Sequence, residues 1–385
     1  MKDEKQISYI LNELGEEGFA FSPVSVPIYE TSIFSFQSFA EFKQALQCER
    51  TAHLYTRGNN PTVEVVEKKL AALEGGEKAK LFAAGVAAIA AATMAFLQSG
   101  DHVVCVRDCY SWTTTLFTRY LKRFQVDVTY IEGKTLVEWE AAMRPNTKLF
   151  YLESPTTFSF QLQDLRAVAQ LAKAHKIKTV IDNSWATPYF QNPIEFGIDL
   201  VVHSCSKYIS GHSDVVGGVV VGSEADIDHI FATEFLNIGA APGPFESWLL
   251  LRGLRTLAVR LRQHQQNTAE VVNFLADHPQ IEAVYYPFHH SHPQYDLAQR
   301  QMRGGSGLLS FTLKTRELEE IARFTDALQH IRRAVSWGGY ESLIVPAAVV
   351  SSQDPERINF VRLHVGLESP ELIIDDLAQA LDQIG

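Results

Sequence analysis

Between residues 60 and 235, short apolar runs alternate with amphipathic stretches. Strand-like runs cover Lys80–Phe82, His102–Val106, Val126–Ile131, Lys148–Leu152, Lys178–Ile181, Leu200–His203 and Gly218–Val221. They are continuously apolar, the pattern of strands buried on both faces. Between two of them, Asp164–His175 sets Leu165, Val168, Leu171 and Ala172 on one helical face. Thr62 reads as the N-cap of a helix running to Leu73 and ended by Gly75–Gly76. Together these elements predict an α/β fold with a mostly parallel, doubly wound, seven-stranded sheet.

A second pattern starts near Pro242–Pro244. It opens with one long helix over Phe245–His278, followed by a loop over Tyr286–Tyr295. A strand at Leu308–Leu313, a helix at Leu318–Leu328, a strand at Val361–Gly366 and a last helix at Glu371–Ile384 complete it. This predicts a smaller α+β domain. Residues 1–45 lack clear periodicity and read as an arm that docks on something else. The expected division is an N-terminal arm over 1–45, an α/β domain over 46–241 and an α+β domain over 242–385.

Composition narrows the function. Of 385 residues, 46% are hydrophobic and 21% charged, ordinary globular usage. Lys plus Arg is 34 and Asp plus Glu is 45, a net charge of −11, which argues against a nucleic-acid or anionic-membrane surface. Cys48, Cys105, Cys109 and Cys205 form no CxxC pair, so neither a disulfide framework nor a zinc site is expected, and a reduced, cytoplasmic protein is. The first 15 residues carry no apolar signal core. The Ala-rich run Leu81–Leu97 reads as a buried helix, not a membrane span. Phe288–His292 holds three histidines but no carboxylate or Cys at ligand spacing, so no metal site is expected.

In open α/β sheets, ligands bind beyond the carboxyl ends of the strands. The residues there are Gly85-Val86, Asp108 and Tyr110, Glu153 to Thr157, Asp182-Asn183-Ser184, and His203-Ser204-Cys205-Ser206-Lys207. A helix start at Gly85–Val86 suits a phosphate. A lysine, a carboxylate and a phenol beside it are what pyridoxal phosphate requires of a protein. The competing reading is a non-catalytic nucleotide-binding α/β protein. No GxGxxG or GxxxxGK[ST] stands at a strand-to-helix turn to support it.

Ordered motifs then carry a resemblance over nearly the whole chain. They are Tyr55-Thr-Arg57-Gly-Asn-Asn60-Pro61-Thr62, Ala84-Gly85-Val86, Asp182-Asn-Ser-Trp185, Ser204-Cys-Ser206-Lys207-Tyr208, Gly211-His212-Ser213-Asp214, Arg252-Gly-Leu-Arg255-Thr-Leu257 and Arg362-Leu-His-Val-Gly366-Leu-Glu368. The sequence resembles the Cys/Met-metabolism family of fold-type I pyridoxal-phosphate enzymes. The resemblance implies Lys207 as the Schiff-base lysine and proton shuttle, and Asp182 as partner of the ring nitrogen. It implies Tyr110 stacked on the ring, and the amides of Gly85 and Val86 with Ser204 and Ser206 around the phosphate. Tyr55 and Arg57 would reach that phosphate from a neighbouring subunit. Arg362 would hold the substrate carboxylate, with Ser336 and Trp337 lining the pocket.

Ser336-Trp337-Gly338-Gly339-Tyr340-Glu341-Ser342-Leu343 is most similar to the bacterial cystathionine β-lyases. The expected reaction is therefore β-elimination of cystathionine to homocysteine, pyruvate and ammonia. Gly243–Trp248 resembles the γ-synthases instead, so γ-replacement or γ-elimination is the alternative. Thr157-Phe158 departs from the usual Asn-Pro, leaving Thr157 as the candidate contact to the ring oxygen. Ala83 and Ala84 replace the usual serines but keep the amides. A homotetramer with active sites shared across a dimer is expected.

Overall fold

The computed structural model describes residues 2–350 and 355–384. All seven expected strands form one sheet: β1 (Lys78–Phe82), β2 (His102–Val106), β3 (Asp127–Ile131), β4 (Thr147–Glu153), β5 (Lys178–Asp182), β6 (Leu200–Ser204) and β7 (Gly218–Gly222). Their order is β1-β7-β6-β5-β4-β2-β3, and only β7 runs against the rest. Strands β2, β6 and β7 carry Val and Leu buried on both faces, so each needs helices above and below. This is the architecture that the continuous apolar runs predict.

A second sheet has the order β10-β11-β12-β9-β8, from β8 (Ile281–Tyr285), β9 (Leu308–Leu313), β10 (Arg332–Arg333), β11 (Leu343–Pro346) and β12 (Phe360–His364). One continuous apolar core runs beneath both sheets. Among the described residues, no helix is long and apolar enough to cross a membrane.

Three local expectations are corrected. The first is the N-terminal region, where α1 (Glu4–Asn12) docks on its own chain. Ile7, Ile10 and Leu11 are buried, and the buried Lys69 ammonium of α3 (Pro61–Glu74) donates to the carbonyls of Ile10 and Leu11. Asp3 and Gln6 close a capping box that starts α1. Beyond it, a stretch with little regular structure leads to α2 (Phe39–Gln47). It leaves large apolar side chains in solvent: Phe21 is 102% exposed, Val24 98% and Phe39 83%.

The second concerns the start of α3. Asn60 is the N-cap, accepting from the Thr62 N–H, and Pro61 takes the first helical position. The Thr62 hydroxyl instead donates to the Pro27 carbonyl, tying the arm to the helix. The third is the long helix, which breaks at Thr256 into Pro244–Arg255 and Leu257–Asp277. The buried Arg260 guanidinium spans the break, donating to the Gly253 carbonyl and the Thr256 hydroxyl.

Candidate active site

The strand ends converge as the topology requires. β1 leads through Ala83-Ala84 into α4 (Gly85–Met94). Ala84 stands at the N-cap and offers no side-chain acceptor, so the first N–H groups of α4 are left to an outside anion. A Cβ on Gly85 would lie 2.9 Å from the Cβ of Ser204 and 3.0 Å from its hydroxyl. Glycine therefore lets the helix start press against the serine that ends β6. Ser206 lies in the following turn, its hydroxyl accepting from the Gly217 N–H at 3.1 Å. These groups set amides and hydroxyls side by side, the donors a phosphate takes.

Asp182 ends β5, one strand over. The Ser184 N–H donates to its Oδ1 at 2.9 Å. Burial raises its pKa, while the Ser184 hydrogen bonds and the charges of His203 and Lys207 oppose the rise. Glu153 ends β4 in direct register with Asp182. Its buried carboxyl accepts from the Tyr110 N–H at 2.8 Å and from the Thr157 hydroxyl at 2.5 Å. Burial first, then the neighbouring Asp182 charge, raises its pKa well above the usual range. Glu153 was visible at a strand end, but its clamp on Tyr110 appears only through space. An acid closing the buried run Leu149–Leu152 is the signal that could have marked it.

Lys207 lies in the turn after β6. Burial and the facing Arg362 charge lower its pKa to about 8, against the pull of Asp182. Its Nζ donates to the Ser336 hydroxyl and sits 5.4 Å from the Trp337 ring centroid. Ser336 holds a left-handed φ of 81°. Gly338, also left-handed, lies so close that a Cβ there would be 2.7 Å from the Tyr208 nitrogen. Its N–H donates to His364 Nε2 at 3.1 Å, and His364 Nδ1 donates to the Glu341 carbonyl at 3.0 Å. This hydrogen-bond chain seats the 336–338 loop on the lysine backbone.

Arg362 projects from β12 toward the same space. Burial lowers its pKa to about 10. Among the described residues it has no hydrogen-bond or ion-pair partner; the Phe158 ring centroid lies 5.3 Å from its guanidinium carbon. Tyr110 is 40% exposed, and burial raises its phenol pKa, as do Asp182 and Glu153. The Thr157 hydroxyl turns to Glu153. Tyr55 and Arg57 stand apart from this group. Arg57 stacks on Tyr55 and contacts the Leu236 carbonyl and Glu49, and both side chains are nearly half exposed.

The three cysteines of the α/β core are buried and free, with Cys105 and Cys109 sulfurs 3.8 Å apart. Among the described residues, no cluster of three or more His, Cys, Asp or Glu could hold a metal.

The cleft fits pyridoxal phosphate on its own geometry. It offers a helix start with no side-chain cap, the hydroxyls of Ser204 and Ser206, the buried carboxyl of Asp182 and a lysine whose pKa is lowered and whose charge feels that carboxyl. The glycine at the helix start has no room for a side chain. The group would bring an electron sink, which the amino-acid side chains lack.

Comparison with known proteins agrees. The chain is 38% identical to an L-methionine gamma-lyase of Treponema denticola, covering 94% of each chain. It is 37% identical to a cystathionine gamma-lyase of Bacillus subtilis over 94% of this chain and 95% of that protein. A cystathionine gamma-synthase of Mycobacterium bovis is 38% identical over 94% and 93%. The crystal structure of metB from Corynebacterium glutamicum superposes with a TM-score of 0.91 at 32% identity, covering 98% of this chain and 97% of that one. A family model described as Cys/Met metabolism PLP-dependent enzyme matches residues 9–382, and the chain belongs to that family.

Proposed function

We propose that this pyridoxal-phosphate enzyme cleaves a carbon–sulfur bond at the γ carbon of a sulfur amino acid such as cystathionine or methionine. The observation that carries the reading is Lys207: an enclosed amine with a pKa lowered to about 8, between Asp182 and Arg362. Such an amine is a base near neutral pH and keeps a flexible stem.

Arg362 presents its N–H fork to the substrate carboxylate as a bidentate partner. Lys207 then takes the Cα proton. Asp182 would pair with the ring nitrogen of the bound group, which would supply the electron sink for charge developing at Cα. The γ route needs a second proton moved at Cβ, one bond further along, within reach of the same lysine. Ser336 holds Nζ on the substrate side between the two transfers. Tyr110, half exposed at the mouth, is placed to protonate the leaving sulfur.

The relatives support the γ position, since three of 37–38% identity are named for γ chemistry. This shifts the weight away from the β-lyase reading that the Ser336–Leu343 segment suggests. Trp337 keeps β-elimination as a second reading: its ring near Lys207 can wall the cleft against rearrangement at Cβ. A product assay on cystathionine separates them. 2-Oxobutyrate as the main keto acid supports the γ reading; pyruvate and homocysteine would replace it with the β reading.

We also propose that two copies share their sites, in a tetramer built from two such dimers. The exposed apolar residues of the arm and the outward Tyr55 and Arg57 support this, because an arginine supplied in trans would complete the phosphate cradle.

A further inference from the structure

The turn after β4 is fastened on both sides of Phe158. The Thr156 N–H donates to the Gln161 carbonyl, and its hydroxyl accepts from the Gln161 N–H. The Thr157 N–H donates to the Asp108 carbonyl and its hydroxyl to Glu153. The Ser159 N–H and hydroxyl both donate to the Asp108 carboxylate. Asp108 is itself held by Arg357. Phe160 is fully buried. The Phe158 side chain takes no part in these anchors; it is half-buried, with its ring 5.3 Å from the Arg362 guanidinium carbon.

We propose that Phe158 is a positioning residue for the substrate carboxylate, acting through Arg362. This inference rests on the reading that Arg362 binds that carboxylate. An aromatic face within about 6 Å attracts a guanidinium electrostatically. It competes for none of the group's N–H donors. A carboxylate partner in that place would consume the fork; an aliphatic side chain would exclude water without the attraction. The ring thus lies against a guanidinium that has no hydrogen-bond or ion-pair partner among the described residues, and leaves its N–H donors free. The turn's anchors to Glu153 and Asp108 keep the ring in place, and Glu153 also holds the Tyr110 backbone. One rigid turn therefore sets both the carboxylate anchor and the phenol. Phe158 occupies a position where the resemblance leads one to expect proline, so this arrangement belongs to this sequence.

The test uses two small amines that do not undergo carbon–sulfur cleavage, glycine and methylamine, which differ by one carboxylate. Their binding to the loaded enzyme is read from the change in cofactor absorption. Phe158→Ala should weaken glycine binding about tenfold, the scale of a partly desolvated cation–π contact, and leave methylamine unchanged. Phe158→Leu should behave like the Ala variant, and Phe158→Tyr should restore glycine binding. For the sulfur substrate, KM should rise with kcat nearly constant. Equal weakening of both amines, or full function in Phe158→Leu, would overturn the proposal. Arg362→Ala separates the two levels. If that variant keeps the preference for glycine over methylamine, the carboxylate reading of Arg362 fails. If it loses the preference while Phe158→Ala keeps it, only the Phe158 inference fails. Should the Ala variant not fold, the Leu and Tyr pair decides alone.

Discussion

Glu153 and Asp182 stand side by side at the carboxyl ends of β4 and β5, two buried acids in one register. Two such charges in one low-dielectric space repel, and burial raises both pKa values. Glu153 is pushed further up, so of the two it is the more readily protonated. Glu153→Gln keeps an acceptor for the Tyr110 N–H and should retain most turnover. Glu153→Ala leaves that N–H and the Thr157 hydroxyl unpaired, a cost of about 1–3 kcal/mol for each buried group. It should lose roughly tenfold or more in kcat, by the arithmetic of ~1.4 kcal/mol per decade. Equal activity in the Gln and Ala variants would rule out the clamp.

Asp182→Asn should fold and take up cofactor, yet fail to keep the ring nitrogen protonated. A charge-assisted hydrogen bond on a reacting group is worth several kcal/mol, so Cα proton exchange should slow at least ~100-fold. Exchange followed by NMR in deuterated buffer measures this step directly. Wild-type exchange in a folded Asp182→Asn protein would remove Asp182 from the mechanism.

Lys207 gives a pH prediction. Capture of added pyridoxal phosphate by the stripped protein requires the neutral amine. Burial and Arg362 favour that form, with a pKa of about 8. The capture rate should therefore rise through pH 8 and level off above it. A limb centred near 10.5, the value of an ordinary lysine, would show that the site does not tune this amine.

Subunit sharing predicts complementation. Arg57→Ala and Lys207→Ala are each expected to be inactive. Mixed and allowed to exchange, they should recover part of the activity, since a hybrid dimer holds one site with both residues intact. No recovery after demonstrated exchange would place Arg57 in its own subunit's site.

The sheet was legible because strands such as Val103–Val106 and Val219–Val221 are apolar on both faces, and only a doubly wound sheet buries both. Lys207, Asp182 and Arg362 stood out as motifs, and the fold brings them close enough for their charges to interact. What escaped was set by space, not spacing. Thr62 has the right hydroxyl for a cap, but the preceding Asn60-Pro61 pair takes the role and frees it to bind Pro27. In α1, Ile7, Ile10 and Leu11 make too short a stripe to stand out, and need Lys69 of α3 to hold them. Glu153 and Phe158 gain their roles only when β4, β5 and β12 bring Asp182 and Arg362 beside them.

The central claim is that this cleft holds pyridoxal phosphate on Lys207. Borohydride reduction of the loaded protein, followed by peptide mapping, tests it most directly. The account predicts the pyridoxyl group on the peptide containing Ser204-Cys205-Ser206-Lys207, and no such label in Lys207→Ala. Label on any other lysine, at full stoichiometry in the wild type, would contradict it.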